Sequence, residues 1–201
     1  MNTIEKTLNY LPLGYLYLVI VGILKETVYF YQLGINILKY SSIMDVLLSP
    51  VATFTSHPVI FITITSVFVF CYYLPSILYN HGHKKWVQKA FELKKTKAGP
   101  TDTEIKNYYL FVAIKSLAIG LLSIYLGYGT AEGYFISKRI KNNKLRYDYN
   151  LNYNTGDSEN IALLEANSLY YFYIAKGGKS IKIAPISGVK NIELIKNDRD
   201  N

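Results

Sequence analysis

Apolar residues gather into three long blocks in the first two thirds of this 201-residue chain, and into short alternating runs near its end. The clearest block is residues 58–80, PVIFITITSVFVFCYYLPSILYN, inside a stretch of 38 residues (46–83) without a formal charge. Its Ile, Thr and Val content would favour strand in water. In hydrocarbon an isolated strand leaves its backbone unsatisfied, so the block predicts a membrane helix. Pro58 suits its first turn, and Pro75 is expected to kink the final turns or end the helix near Tyr73.

About 20 apolar residues, rising about 1.5 Å each, cross a hydrocarbon core of about 30 Å. A first span is expected over residues 8–26, with Val28-Tyr29-Phe30-Tyr31 as an extension if Lys25 and Glu26 are accommodated. Glu5 and Lys6 cancel before it, and Lys25-Glu26-Thr27 stands where a cleavage site needs small residues, so it reads as a retained helix. A third span is expected over residues 108–130, where Lys115 and Glu132 bracket only 16 uncharged residues (116–131). Lys115 must therefore snorkel to an interface or face a polar interior.

Between the first two spans the chain is aromatic, then alternately apolar and polar, and expected to break at Pro50. An interfacial or re-entrant segment fits, with Ile35, Ile37, Leu38, Ile43, Val46 and Leu47 toward lipid or the other helices. The loop 81–107 carries seven Lys, and Trp86, Val87, Ala90, Phe91 and Leu93 alternate with Lys84, Lys85, Gln88, Lys89 and Lys94 at helical spacing. That pattern predicts a short basic amphipathic helix on a membrane surface, where Lys84, Lys85, Trp86, Lys89, Lys94 and Lys95 contact lipid headgroups. Gly99-Pro100 ends it, and Thr101 or Thr103 with Glu104 caps the next helix.

From Leu145 the period changes to two: Leu145, Tyr147, Tyr149, Leu151 and Tyr153 alternate with polar residues through Asn154. This is a strand with one buried face. Residues 154–160 read as a loop, and further strands are expected at 161–166, 169–175, 180–184 and 189–195, with Lys176-Gly177-Gly178-Lys179 closing a hairpin and residues 185–188 turning into the last strand. Five short strands fit a small SH3-like or Sm-like barrel. So small a core needs support from the membrane, a partner or copies of itself. The chain thus divides into a transmembrane domain (1–136), a small all-β domain (145–195) and a polar tail (196–201).

Composition adds little beyond this. A net charge of +8 in a membrane protein follows from orientation and anionic lipid, so nucleic acid is not an expected partner. Cys71 is alone, which excludes an intrachain disulfide. Orientation by basic residues is nearly tied: Lys6 and the seven loop Lys make eight on one side, against Lys25, Lys39, Lys138, Arg139, Lys141, Lys144 and Arg146, seven, on the other. The small excess favours a cytoplasmic loop and an exported C-terminal domain. A third segment that dips in and returns would put both basic stretches inside.

Candidate chemistry is sparse. Lys25, Glu26 and Lys115 mark either an interface or a polar path; adjacent on a helix, Lys25 and Glu26 point about 100° apart and are not expected simply to pair. His81 and His83 lack two further ligands nearby, and His57 lies at the other end of a helix about 30 Å long, so no metal is expected. Gly177-Gly178-Lys179 lacks the spacing of a phosphate loop. Gly120, Gly127, Gly129 and Gly133, with Ala113, Ala118 and Ala131, serve either packing between spans or a helix lining a pore between subunits.

The order of three spans, a Gly/Ala-rich third span and a β domain is similar to small-conductance mechanosensitive channels. The stretch AKGGKSIKIAPISGVKNIEL (175–194) resembles that family's β-domain tail over about 20 residues. The resemblance implies an oligomeric channel with a cytoplasmic β domain; the longer link between second and third spans, the sparser small residues and the missing C-terminal chamber depart from it. More broadly, Tyr31-Gln32-Leu33-Gly34-Ile35-Asn36-Ile37 and residues 168–195 resemble small multi-pass proteins of AT-rich bacterial genomes, which implies a bacterial inner (plasma) membrane but no activity. The expected function is a non-enzymatic, cofactor-free anchor or assembly protein whose β module binds a protein partner or a second copy. The alternatives are the channel subunit and a membrane-embedded enzyme acting on lipid or peptide, whose clue would be a His or carboxylate cluster.

Overall fold

The computed structural model describes residues 3–56, 58–91, 93 and 101–195. His57, Lys94, Lys95, the Gly99-Pro100 stop and the 196–201 tail lie outside them. Five α-helices are present among the described residues: α1 (Thr3–Tyr31), α2 (Ile43–Ser56), α3 (Pro58–His81), α4 (Lys85–Ala90) and α5 (Asp102–Lys141). Five strands follow: β1 (Tyr149–Tyr153), β2 (Ser158–Ala166), β3 (Tyr170–Ala175), β4 (Lys182–Pro185) and β5 (Val189–Leu194). Three helices are long and apolar enough to cross a membrane, over Leu11–Tyr31, Pro58–His81 and Asp102–Lys141.

The helices are longer than hydropathy alone indicates. At 29 and 40 residues, α1 and α5 extend about 43 and 60 Å. Because α5 is unbroken, a third segment that dips into the membrane and returns is overturned. Pro50 does not break α2, which runs on to Ser56. Its ring lies against Gly22 of α1, where an added Cβ would stand 2.9 Å from Pro50 Cδ; this tertiary contact offsets the backbone bond that proline cannot make. Pro75 likewise does not end α3 at Tyr73. Leu74 and Leu78, on either side of it, are fully buried in a cluster with Val87, Val112 and Ala113, which holds the last turns helical.

Both α2 and α5 start on side-chain caps, and that of α2 is reciprocal. Thr101 donates its amide and hydroxyl to Glu104 Oε2 at 2.8 and 2.9 Å, so Thr101 is the residue that caps α5. Ser42 donates both groups to Asp45 Oδ2 at 2.8 and 2.7 Å, and the Asp45 amide donates back to Ser42 Oγ. The α2 pair satisfies the amides of both Ser42 and Asp45, and the α5 pair satisfies that of Thr101.

The strands form one antiparallel sheet in the order β4-β3-β2-β1-β5. The first strand is shorter than the alternation from Leu145 implies, beginning only at Tyr149, where β5 and β2 supply partners. Ser158, Glu159 and Asn160, expected in a loop, belong to β2 for the same reason: they pair with β1. One face carries Leu151, Ile161 and Tyr173, packed with Tyr149, Leu163 and Ile192. The other buries Phe172 against Tyr29 and Phe30 at the end of α1 and Ile37 of a 3-10 turn (Ile37–Lys39).

By contact clustering the chain forms two compact units, residues 1–50 with 128–201, and residues 51–127. The first holds the sheet together with α1 and the last turns of α5. Support for the small β module thus comes from the chain's own helix ends, with Phe30 and Phe172 rings 4.9 Å apart.

Candidate functional site

The residues most in need of explanation are ionisable groups on the helices long and apolar enough to cross a membrane. Lys25 is almost entirely buried, its side chain 7% exposed, and its ammonium lies 2.9 Å from Glu26 Oε1 and 3.7 Å from Glu132 Oε2. The expectation that Lys25 and Glu26 do not pair is therefore corrected. Their Cα–Cβ vectors diverge, but the lysine stem is long enough to curl back, and burial removes water as the competing partner. Rings of Tyr29 and Tyr128 flank the same ammonium at 5.8 and 5.7 Å, a cation–π arrangement that strengthens on desolvation. Ser49 of α2 donates to Glu26 Oε1 at 3.3 Å.

Glycine makes this convergence of α1 and α5 geometrically available. At Gly129 an added Cβ would stand 2.6 Å from the Lys25 carbonyl oxygen, and at Gly133 2.9 Å from that of Tyr29. The backbones approach so closely that no side chain fits between them. Gln32 locks the same seam by donating to the Thr130 carbonyl at 2.9 Å. Gly120 is looser, 3.3 Å from Val67 Cγ1 by the same construction, and Gly127 meets nothing.

The sheet contributes a third carboxylate. A bulge in β2 between Leu163 and Glu165 shifts the register so that Glu165 pairs with Phe172. Antiparallel partners share a face, so Glu165 joins the face packed on the helices, alongside Leu164. Burial pushes its carboxyl up to about 7; Glu26 adds to this, Lys25 opposes it and Glu132 adds again. The arrangement can therefore hold α1 and α5 together through Lys25, with the Glu165 carboxyl of β2 on the face packed against them.

A second polar knot ties the β2–β3 turn to the start of α2. Ser168 donates its amide to Asp45 Oδ1 at 3.0 Å and its hydroxyl to Oδ2 at 2.9 Å, and Asn167 Nδ2 donates to the Tyr40 carbonyl at 3.0 Å. Partial burial pushes the Asp45 carboxyl up, but the bonds from Ser42 and Ser168 outweigh it and hold it below the usual carboxylate range. Within the sheet Glu159 accepts from Tyr153, from Tyr173 at 3.0 Å and from Lys182 at 2.8 Å.

The remaining candidates fall elsewhere. Lys84, Lys85, Trp86 and Lys89 are exposed on and beside α4, with Val87 buried beneath them. Lys115 is exposed on α5. His81 bonds the Ile77 carbonyl one turn back at 3.3 Å, and among the described residues no group of three His, Cys, Asp or Glu could hold a metal ion. Glu132, Glu165, Tyr29 and Asp45 are the site residues that sequence reasoning missed. A lysine inside a long apolar helix needs counter-charge, a signal that could have found Glu132; nothing in the sequence pointed to Glu165, because a bulge turns it inward. No family model, no curated protein and no solved structure matches the chain.

Proposed function

We propose that this is a non-enzymatic multi-pass protein of a bacterial plasma membrane, anchored by α1, α3 and α5, whose β module is an SH3-like or Sm-like unit that docks a protein partner. The observation that carries the reading is a five-stranded sheet with two open edges, β4 and β5, packed through Phe172 onto the ends of membrane-length helices. The strand order and the 3-10 turn (Ile186–Gly188) before β5 support the barrel reading. An edge presents unpaired amides and carbonyls, which recognise an extended segment by strand addition. The six-residue β5 is the longer of the two edges.

The glycines weigh against the channel alternative. Gly129 and Gly133 spend on contacts with α1 the small surface that a pore-lining helix would turn toward a lumen. A photo-crosslinking residue at Lys190, in the full chain expressed in bacteria, tests the docking. One discrete adduct in the membrane fraction is expected, absent when the same residue replaces Lys144. Equal labelling from both positions, or none, rejects docking at β5.

A further inference from the structure

Beyond the buried ion pairs, the first unit contains an open cleft where α1 and α5 end. The chain leaves α1 through Gly34, whose φ of 75° and open surroundings turn it away from the helix. The hairpin between β3 and β4 comes down beside that turn. A cavity of about 410 Å³ results, lined by Lys141 and Ser137 of α5 and by Lys179 of the hairpin, with Leu33, Ile140 and Ile181 as apolar walls. Lys141 and Lys179 come from different elements, both are exposed, and neither makes an ion pair among the described residues. Two ammonium groups without an ion-pair partner among the described residues, a hydroxyl and apolar walls form a receptor for an anion that carries an apolar stem.

The height of the cleft narrows the choice further. Tyr31, 80% exposed, ends α1 next to the cleft-lining Gln32, and Tyr134, 54% exposed, stands about one turn before the cleft-lining Ser137 on α5. Exposed tyrosines at the ends of apolar helices sit at the headgroup level of a bilayer. Residues just beyond them meet lipid phosphate, and Lys138 and Arg139 in the last turn of α5 add to the positive field there.

We propose that this cleft binds the headgroup of an anionic phospholipid, with Lys141 and Lys179 on either side of the phosphate and the glycerol end against Ile140 and Ile181. The inference rests on the reading of α1 and α5 as membrane spans. It adds a specific lipid site distinct from the exposed lysines of α4.

The test uses the full chain purified from membranes in mild detergent, incubated with phosphatidylglycerol, phosphatidylcholine or inorganic phosphate, and read by native mass spectrometry. Phosphatidylglycerol is expected to be retained over phosphatidylcholine, and excess inorganic phosphate not to displace it. A K141Q/K179Q variant should lose about tenfold to thirtyfold in retention, from two lysines near a charged surface. K144Q/R146Q, with the same charge change outside the cleft, should match the parent. Equal retention in K141Q/K179Q, an equal loss in K144Q/R146Q, equal binding of phosphatidylcholine, or displacement by phosphate would each overturn the site. Release of the chain from membranes by alkaline carbonate would instead sink the spanning reading itself.

Discussion

In the unit of residues 51–127, Leu74, Leu78, Val87, Val112 and Ala113 form an apolar cluster, while Val59, Phe61, Ile62, Val69, Phe70, Phe111 and Ile114 face outward. In the unit of residues 1–50 and 128–201, helix ends and sheet share a core of aromatic rings, and polar ties recur at Lys25, Gln32 and Asp45. On the proposed reading of the long helices as membrane spans, the difference is one of solvent: lipid tails would cover the outer faces of the helices as well as protein would. The sheet needs an apolar face to pack on, and the last turns of α1 and α5 supply it.

Substitutions can break or sharpen this contrast. The largest effect is expected from Phe172→Ala, which opens a cavity in the core that joins sheet to helices and should cost about 3–5 kcal/mol; thermal unfolding in detergent followed by circular dichroism measures it. A loss under 1 kcal/mol would mean that the sheet stands without the helix ends. Gly129→Leu should follow at about 3 kcal/mol, because backbone faces the new side chain, whereas Gly127→Leu should leave the melting temperature unchanged. Similar effects at both glycines would refute the close approach of α1 and α5.

Asp45→Ala should cost about 1–2 kcal/mol by releasing the β2–β3 turn from α2. Since bonding holds this carboxyl low, its contribution is present above its unfolded value of 3.8 and lost as pH falls through the folded one. Glu165 acts with the opposite sign. Below pH 4.5 it is protonated folded or unfolded; between 4.5 and about 7 only the folded chain keeps the proton, so stability declines as pH rises and then levels. Glu165→Gln should flatten that decline, and melting curves from pH 5 to 8 with unchanged slope would remove Glu165 from the buried cluster. The smallest effect, under about 0.5 kcal/mol, is expected for Phe70→Ala on the outward face of α3.

Much of the architecture was legible one element at a time. Hydropathy over residues 58–80 located α3 because a helix long and apolar enough to cross a membrane is a matter of composition and length alone. Thr101 or Thr103 with Glu104 announced the start of α5, since a cap is satisfied within four residues, and the bonds to Glu104 select Thr101. The hairpin at Lys176–Lys179 was equally local, with Gly177 at a φ of 82°. Local rules failed where a distant contact overrode them. Pro50 reads as a breaker until Gly22 is seen to receive its ring, and Lys25 beside Glu26 reads as a diverging pair until burial makes each the other's nearest available partner.

The sequence by itself located the long apolar helices and most of the strands, because those follow from period, capping and hydrophobicity within one element; pairing partners decided where β1 begins and that residues 158–160 are strand. Only the tertiary structure decided which charges meet. Lys25, Glu132 and Glu165 lie more than 30 positions apart from one another, and their gathering depends on two glycines that admit a backbone and one bulge that turns a carboxylate inward. Those are consequences of packing, and no local pattern encodes them.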